Sequence, residues 1–445
     1  MTDVTTQDLA INGGPQAFEK PEGRAQPKIG VAEFLAIARR FGFKPEAVER
    51  LAATLSDDDL QRNGPNLGRY LTAFPAPPAG ERFEARAREL FASRYALSVS
   101  SGTGALHAAM VAIGAGPGTE VICPALGFMA TAAAVAIAGA RPVFCDVDES
   151  MQIDPTKIEP CITERTVAVV PTHHWGVVAD MDAVMQIARA RGLKVVEDCA
   201  QSPGARFGGR HVGTIGDIGC FSISAYKIIG GGEGGLLLTD EQRLYERACQ
   251  LAECGGLWRP DRFAPPRYDG ELFVGTNYRM SELEATVDLV QLDKLEPLVA
   301  RYRRVHRRIL ERLRTYRQIT PQKHNDPDGD IGYLIRFFPE THELAGKIVA
   351  ALRAEGIGAG HRGPTAGADW HLYSCMFPVW EHLGGQPRHD CPVADDLYNR
   401  VVAVATSPWW TDADCDAVAA GLDKVFGTYC DPTGPAGSWL DGPLA

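Results

Sequence analysis

The sequence predicts an α/β fold. A doubly wound, mostly parallel sheet should form a large domain, with a small C-terminal α/β domain after it and a helical extension before it. Three observations predict this. Short apolar runs alternate with helical apolar spacing from Ala96 to Asp198, the pattern of strands joined by covering helices. A second alternation runs from Ile331 to Phe426. Between them, the apolar runs Gly219-Cys-Phe-Ser-Ile223 and Gly235-Leu-Leu-Leu-Thr239 flank a glycine-rich turn that carries one lysine, Lys227. The expected divisions are residues 1–80 for the extension, 81–300 for the large domain, 301–430 for the small domain and 431–445 for a mobile Pro/Gly-rich tail.

In the extension, Val31, Phe34, Leu35 and Ala38 have helical spacing, and a second helix is expected to start at Pro45, since proline suits a first turn. Pro75-Ala-Pro-Pro-Ala-Gly80 reads as a linker. Arg82–Phe91 reads as a helix, Ala96–Ser100 as a strand and Thr103–Ile113 as a small-residue helix. Gly114-Ala-Gly-Pro-Gly118 follows a helix rather than a strand, so it fails the context of a dinucleotide loop. Strands are then expected at Glu120–Pro124, Arg141–Val147, Val167–Pro171 and Leu193–Asp198, with helices at Ala130–Ala138 and Met181–Arg191. Ser281 should cap a helix in a box with Glu284. The basic run Arg301–Arg308 is expected to be a solvated face, because Val305, Ile309 and Leu313 give the same helix an apolar stripe.

The chain of 445 residues, with 45% hydrophobic and 23% charged residues, has the composition of a globular enzyme. A net charge of −11 argues against nucleic acid or an anionic membrane as partner. Met1–Asp8 is polar rather than a leader, and no apolar run would span a bilayer. Eleven scattered cysteines suit free thiols, and a cytoplasmic setting is expected. His361, His371, Cys375, His382, His389 and Cys391 fit no compact zinc spacing, so no metal is expected and a substrate-facing loop is the preferred reading.

The chemistry converges on three stretches. A half-buried lysine loses ammonium stability and becomes nucleophilic, which suits Lys227 to Schiff-base formation; a lysine snorkelling to water is the plain alternative. Asp198 ends an apolar strand, in Val195-Val-Glu-Asp-Cys-Ala-Gln201. Ser98-Val-Ser-Ser-Gly-Thr-Gly104 runs from strand into helix, so Gly102 and Thr103 sit at a helix start, where free N–H groups receive phosphate. An amine, a strand-end carboxylate and a helix N-terminus are the parts that pyridoxal phosphate requires.

Glu197-Asp-Cys-Ala-Gln201, Gly216-Asp-Ile-Gly-Cys-Phe-Ser222, Lys227 and Gly232-Glu-Gly-Gly235 together resemble the DegT/DnrJ/EryC1/StrS aminotransferases, over roughly Gly80 to Phe426. The resemblance implies a fold-type-I, pyridoxal-phosphate-dependent aminotransferase that moves an amino group from glutamate or glutamine to a keto-sugar or keto-cyclitol. It implies Lys227 as the catalytic amine, and Gly102, Thr103, Phe128, Asp198, Gln201 and Ser222 as cofactor contacts. Thr172-His-His-Trp-Gly176 resembles the family's Val-His-Leu-Tyr-Gly loop and makes His173 a substrate candidate. Gly275-Thr-Asn-Tyr-Arg-Met280 resembles the segment whose asparagine crosses a homodimer interface; Asn277 would reach the partner's cofactor phosphate, and Arg279 would bind a donor carboxylate. His361 and His371 are further substrate candidates. The extension is a departure from many relatives, with packing or dimerisation the preferred role. A non-transaminating enzyme of the same fold, such as a dehydratase, and a cofactor-bound regulator are the alternatives; sugar dehydratases of the family replace the lysine by histidine.

Overall fold

The computed structural model describes residues 9–18, 27–61, 64–69, 77–363, 365–385 and 390–441. The polar start 1–8, Pro75 and Ala76 of the proline-rich linker, His389 and the last residues 442–445 lie outside the described residues; Ala79 and Gly80 of that linker already belong to a helix, Ala79–Phe91. The chain divides into two compact units, Met1–Pro77 and Pro78–Ala445.

The first unit carries helices Val31–Arg40 and Pro45–Thr54. The first starts where Glu33 accepts the Gly30 N–H (2.7 Å) and Asp57 accepts that of Val31 (2.9 Å), satisfying amides that a helix start leaves free. Leu35, Ala38 and Val48 are buried, whereas Phe34 of the expected stripe is half exposed.

The second unit is built on a seven-stranded sheet. Its strands are β1 (Tyr95–Val99), β2 (Glu120–Pro124), β3 (Arg141–Cys145), β4 (Thr166–Val169) and β5 (Lys194–Asp198), then, after a two-stranded hairpin of β6 (Arg206–Phe207) and β7 (Arg210–His211), β8 (Ile218–Ser222) and β9 (Gly235–Thr239). Their spatial order is β1-β9-β8-β5-β4-β2-β3. The β2–β3, β2–β4, β4–β5 and β5–β8 pairs are parallel; β9 runs antiparallel to both β1 and β8. Helices cover both faces, which is why the strands read as continuous apolar runs rather than as alternating ones. On β9, Leu237 enters one core with Val196 and Ile218, while Leu236 and Leu238 enter the opposite one with Phe221.

A second, antiparallel sheet has the order β10-β11-β13-β12: Ile319–Pro321, Leu334–Pro339, Val402–Ala405 and, for β12, Ala359–His361. Helices Leu295–Leu310, His342–Ala354 and Asp412–Tyr429 supply its core. Val305, Ile309 and Leu313 are buried as their spacing predicts. The basic run beside them differs from a simple solvated face. Arg304 bonds Asp412 (2.6 Å), Arg308 bonds Asp416 (2.8 Å), and Arg303 donates to the carbonyls of Asp330 (2.8 Å) and Gly329 (2.7 Å). The run thus ties its helix to the last helix and to the 329–330 turn. The segment expected to be mobile is packed through residue 439: Trp439 is buried and stacks on Phe426, centroids 5.7 Å apart at 10°. The eleven cysteines form no disulfide among the described residues. Among the described residues, no helix is long and apolar enough to cross a membrane.

Candidate active site

The parallel strands end on one side of the large sheet, and β5 delivers Asp198 there. Asp198 is buried; its Oδ2 accepts from Thr131 Oγ1 (2.6 Å) and its Oδ1 from the Ala200 N–H (3.1 Å). Burial pushes its carboxyl up, while these two bonds and the charges of Lys227 and His173 pull it down. Lys227 lies in the turn between β8 and β9 and is half buried. Burial lowers the pKa of its amine, and Asp198 opposes that shift, so the two groups sense one another across the same space. The turn is held by the Lys227 N–H to Ser224 O bond (2.9 Å) and closes on itself where Gly230 meets the Ser224 carbonyl, too tightly for any Cβ. A cavity of about 360 Å³ opens over Lys227, lined by Trp175, Gln201, Tyr302, Tyr333 and Leu334 among others.

Helix Gly102–Ala112 starts against the end of β8. Ser101 caps it, its Oγ taking the Gly104 N–H (3.0 Å) and its carbonyl that of Ala105 (3.0 Å). The amides of Gly102 and Thr103 have no acceptor among the described residues, and Thr103 is exposed. A Cβ on Gly102 would lie 2.7 Å from Ser222 Cβ, so glycine is what lets the helix start approach the end of β8. Buried Ser222 therefore reaches the same place as Gly102.

Phe128 stands at the rim, 42% exposed, with its ring 5.4 Å from that of His371. The Gly127 N–H donates to the His371 carbonyl (3.0 Å), and the His371 ring bonds Asp369 (2.8 Å). Gln201 Oε1 accepts the Trp175 N–H (3.0 Å). Thus Lys227, Asp198, Gly102, Thr103, Ser222, Phe128, Gln201 and His371 gather around one end of the sheet.

The remaining candidates are placed differently. His173 is fully buried and spent internally: its Nδ1 accepts the Ala179 N–H (3.1 Å) and its Nε2 bonds Glu197 (3.1 Å). The residue of this loop that senses Lys227 is its neighbour, His174. Glu197 in turn accepts the amides of Gly213, Ile215 and Gly216, each at 2.7 Å. With Cys199, His173 and Glu197 form the tightest His/Cys/acid cluster among the described residues, and these bonds already occupy it. Asn277 is exposed and accepts the Arg279 N–H (3.1 Å), while the Arg279 guanidinium turns to Glu253 (3.6 Å). His361 lies on β12, in the second sheet. The expected Ser281–Glu284 box is half formed: Ser281 accepts the Glu284 N–H (3.2 Å), but the Glu284 carboxylate goes to the Glu233 amide (2.8 Å) and fastens the glycine turn after Lys227.

Sequence reading missed Thr131, His174 and Arg336. Arg336 is 3% exposed on β11; its Nη2 donates to the Trp175 carbonyl (3.2 Å) and its Cζ lies 4.8 Å from the Trp175 ring centroid.

The profile of the DegT/DnrJ/EryC1/StrS aminotransferase family matches residues 75–423. The chain is 32% identical to the GDP-perosamine synthase of Caulobacter vibrioides over 75% of its own length and 86% of the relative's. It is 34% identical to the UDP-N-acetyl-3-dehydro-alpha-D-glucosamine 3-aminotransferase of Acidithiobacillus ferrooxidans, over 78% and 88%. Among solved structures, DesI crystallised with its TDP-sugar product superposes with a TM-score of 0.64 at 27% identity, covering 94% of this chain and 96% of that one.

Proposed function

The chain belongs to the DegT/DnrJ/EryC1/StrS aminotransferase family, and from that premise we propose that it is a pyridoxal-phosphate-dependent aminotransferase that aminates a ketone on a sugar or cyclitol, with glutamate or glutamine as donor. The observation that carries this is the electrostatic pairing of Lys227, which lines a cavity, with buried Asp198 at the end of β5, together with a helix start, Gly102, packed against Ser222 at the end of the neighbouring strand β8. The residues fit the cofactor. The free amides of Gly102 and Thr103 suit its phosphate. Asp198 keeps lone pairs beyond those taken by Thr131 and Ala200, suiting a protonated ring nitrogen, whose charge would hold the carboxylate ionised despite burial. Half-exposed Phe128 offers a flat apolar face for a ring.

When bound, pyridoxal phosphate supplies an aldehyde that takes up amines and a ring that spreads the charge left when a proton departs from the adjoining carbon. Lys227 would hold the aldehyde at rest and would be freed when the donor amine takes its place. Its Nζ, whose pKa burial lowers against the pull of Asp198, would take the proton from the donor Cα and pass it to the former aldehyde carbon, and in the second half-reaction would carry a proton the other way, to the acceptor carbon. Gln201 orients the Trp175 loop that forms one wall. Reuse of one site by donor and then acceptor makes the kinetics ping-pong.

The protein is proposed to act in the cytoplasm as a homodimer, Asn277 of each subunit serving the other's phosphate. Absorbance spectra on adding glutamate, glutamine or alanine separately test the reading. The donor should convert the yellow form, and Lys227→Ala should abolish both that colour and turnover. An unaffected Lys227→Ala protein would refute it.

A further inference from the structure

A second cavity, of about 650 Å³, adjoins the one over Lys227 without sharing a lining residue with it. The same two segments wall both. On helix Leu295–Leu310, Tyr302 lines the first cavity and Arg303 the second; just before β11, Tyr333 lines the first and Gly332 the second. Trp439 and Leu440, after the last long helix, line the second as well.

Two of its cations are loosely held. Arg303 is half buried and donates to carbonyl oxygens, those of Asp330 (2.8 Å), Gly329 (2.7 Å) and Gly204 (3.3 Å), with no carboxylate at ion-pair distance among the described residues. Arg307 meets Asp328 and Glu311 only at 3.5 and 3.6 Å. Arg304 and Lys323, by contrast, are committed to Asp412 and Asp148, each at 2.6 Å. Trp439 adds a neutral donor. It is 4% exposed, its ring packs against Phe337 and Phe426, and its indole N–H has no acceptor among the described residues. A buried indole N–H ordinarily finds one, and the cavity it lines is where one can enter.

We propose that this cavity is a binding site for the phosphate ester of a sugar. Arg303 and Arg307 offer the charge and the planar donor edges that phosphate oxygens take up. A bare inorganic anion would leave most of the volume unfilled. The exposed Asp328 carboxylate accepts from hydroxyl groups, and Leu310 and Leu440 give the sugar ring an apolar edge to lie on. An apolar acid would instead leave Asp328 and Asp330 facing hydrocarbon, which is costly. A free sugar phosphate and a nucleotide-linked sugar share this chemistry, and the test separates them. No residue of the Lys227 cavity takes part, so the site stands apart from the aminotransferase reading.

Calorimetry on the full chain tests it, with pyridoxal phosphate in excess so that the helix start at Gly102 is not what is read. Glucose 1-phosphate, UDP-glucose, inorganic phosphate and glucose are titrated separately. At least one of the two esters should bind about tenfold or more tighter than inorganic phosphate, with glucose weakest, and the tighter ester names the source. Trp439→Phe keeps an aromatic ring against Phe426 and removes the N–H; Arg307→Gln removes a charge from an exposed position. Each should weaken the ester by about tenfold. Both variants should take up pyridoxal phosphate and respond to amino donors as the parent does. The proposal is overturned if neither ester binds, if inorganic phosphate binds as tightly as the esters, or if both variants keep the ester affinity within about threefold, which would put the ester elsewhere. Failure of the aminotransferase reading looks different: no amino acid would change the cofactor's absorbance, and these titrations would be unaffected.

Discussion

Asp288 gives the sharpest test of how the Lys227 turn is supported. It lies on helix Glu282–Leu292, fully buried, and its carboxylate packs against the backbone of that turn: a Cβ on Gly234 would lie 2.6 Å from Asp288 Oδ2, and one on Gly231 would collide with Oδ1. Burial, then the charge of Glu284, push its carboxyl up to about 8, against a weaker pull from the Gly231 amide. The sign follows. The native carboxyl keeps its proton up to about pH 8, whereas the unfolded one releases it near 3.8, so stability is lost as pH rises through that window. The slope is about 1.4 kcal/mol per pH unit, and four units set a ceiling of about 5–6 kcal/mol. Water entry and local relaxation reduce this, and about 2–4 kcal/mol is expected. Asp288→Asn keeps the shape and removes the titration. Urea unfolding of both proteins at several pH values from 5 to 9 should show the asparagine variant gaining on the parent steadily, with the smallest difference at pH 5. A stability difference that does not change across that range would refute the reasoning.

Glu197→Ala strands three amides, each now 2.7 Å from a carboxylate oxygen, and should cost at least about 3 kcal/mol in urea unfolding; a loss under about 1 kcal/mol would contradict the assigned role. Gly102→Val should leave far-ultraviolet circular dichroism intact while raising the cofactor Kd by about tenfold or more, because the new Cβ drives the helix start off Ser222; unchanged affinity would remove the phosphate from that helix. Mixing inactive Lys227→Ala with Asn277→Ala should recover about a quarter of the parent's turnover, since mixed dimers hold one site free of both changes. No recovery would place Asn277 on its own subunit's site.

Some of this site was open to sequence reading because its signals are local. Lys227 sits in a glycine turn between apolar runs, and Asp198 ends one of them, so chain order alone placed both at strand ends. Gly102 was legible as a helix start, but not that its missing side chain admits Ser222 from 120 positions away. Glu197 stood in the quoted motif without a task, because its partners are backbone amides that carry no side-chain signature. Arg336 was hidden inside Leu334-Ile-Arg-Phe-Phe-Pro339, where an arginine reads as an edge residue of a strand. His173 outweighed His174 through the resemblance, although folding commits the first to Glu197 while the second, equally buried, stacks on Trp175 and feels the charge of Lys227. The tail was read as mobile from its prolines and glycines; one tryptophan among them packs into the second core.

The antiparallel seat of β9 has a consequence for biogenesis. Among the described strands, the edge strand β1 pairs only with β9, Tyr95 opposite Thr239, and its isolated bridge from Val99 to Arg279 lies later still, so it must wait for about 140 further residues to leave the ribosome. At about 5–20 residues per second that is roughly 7–30 s with an apolar strand unpaired. Chaperone demand during synthesis should therefore peak before the glycine turn emerges and fall once β9 closes the gap between β1 and β8.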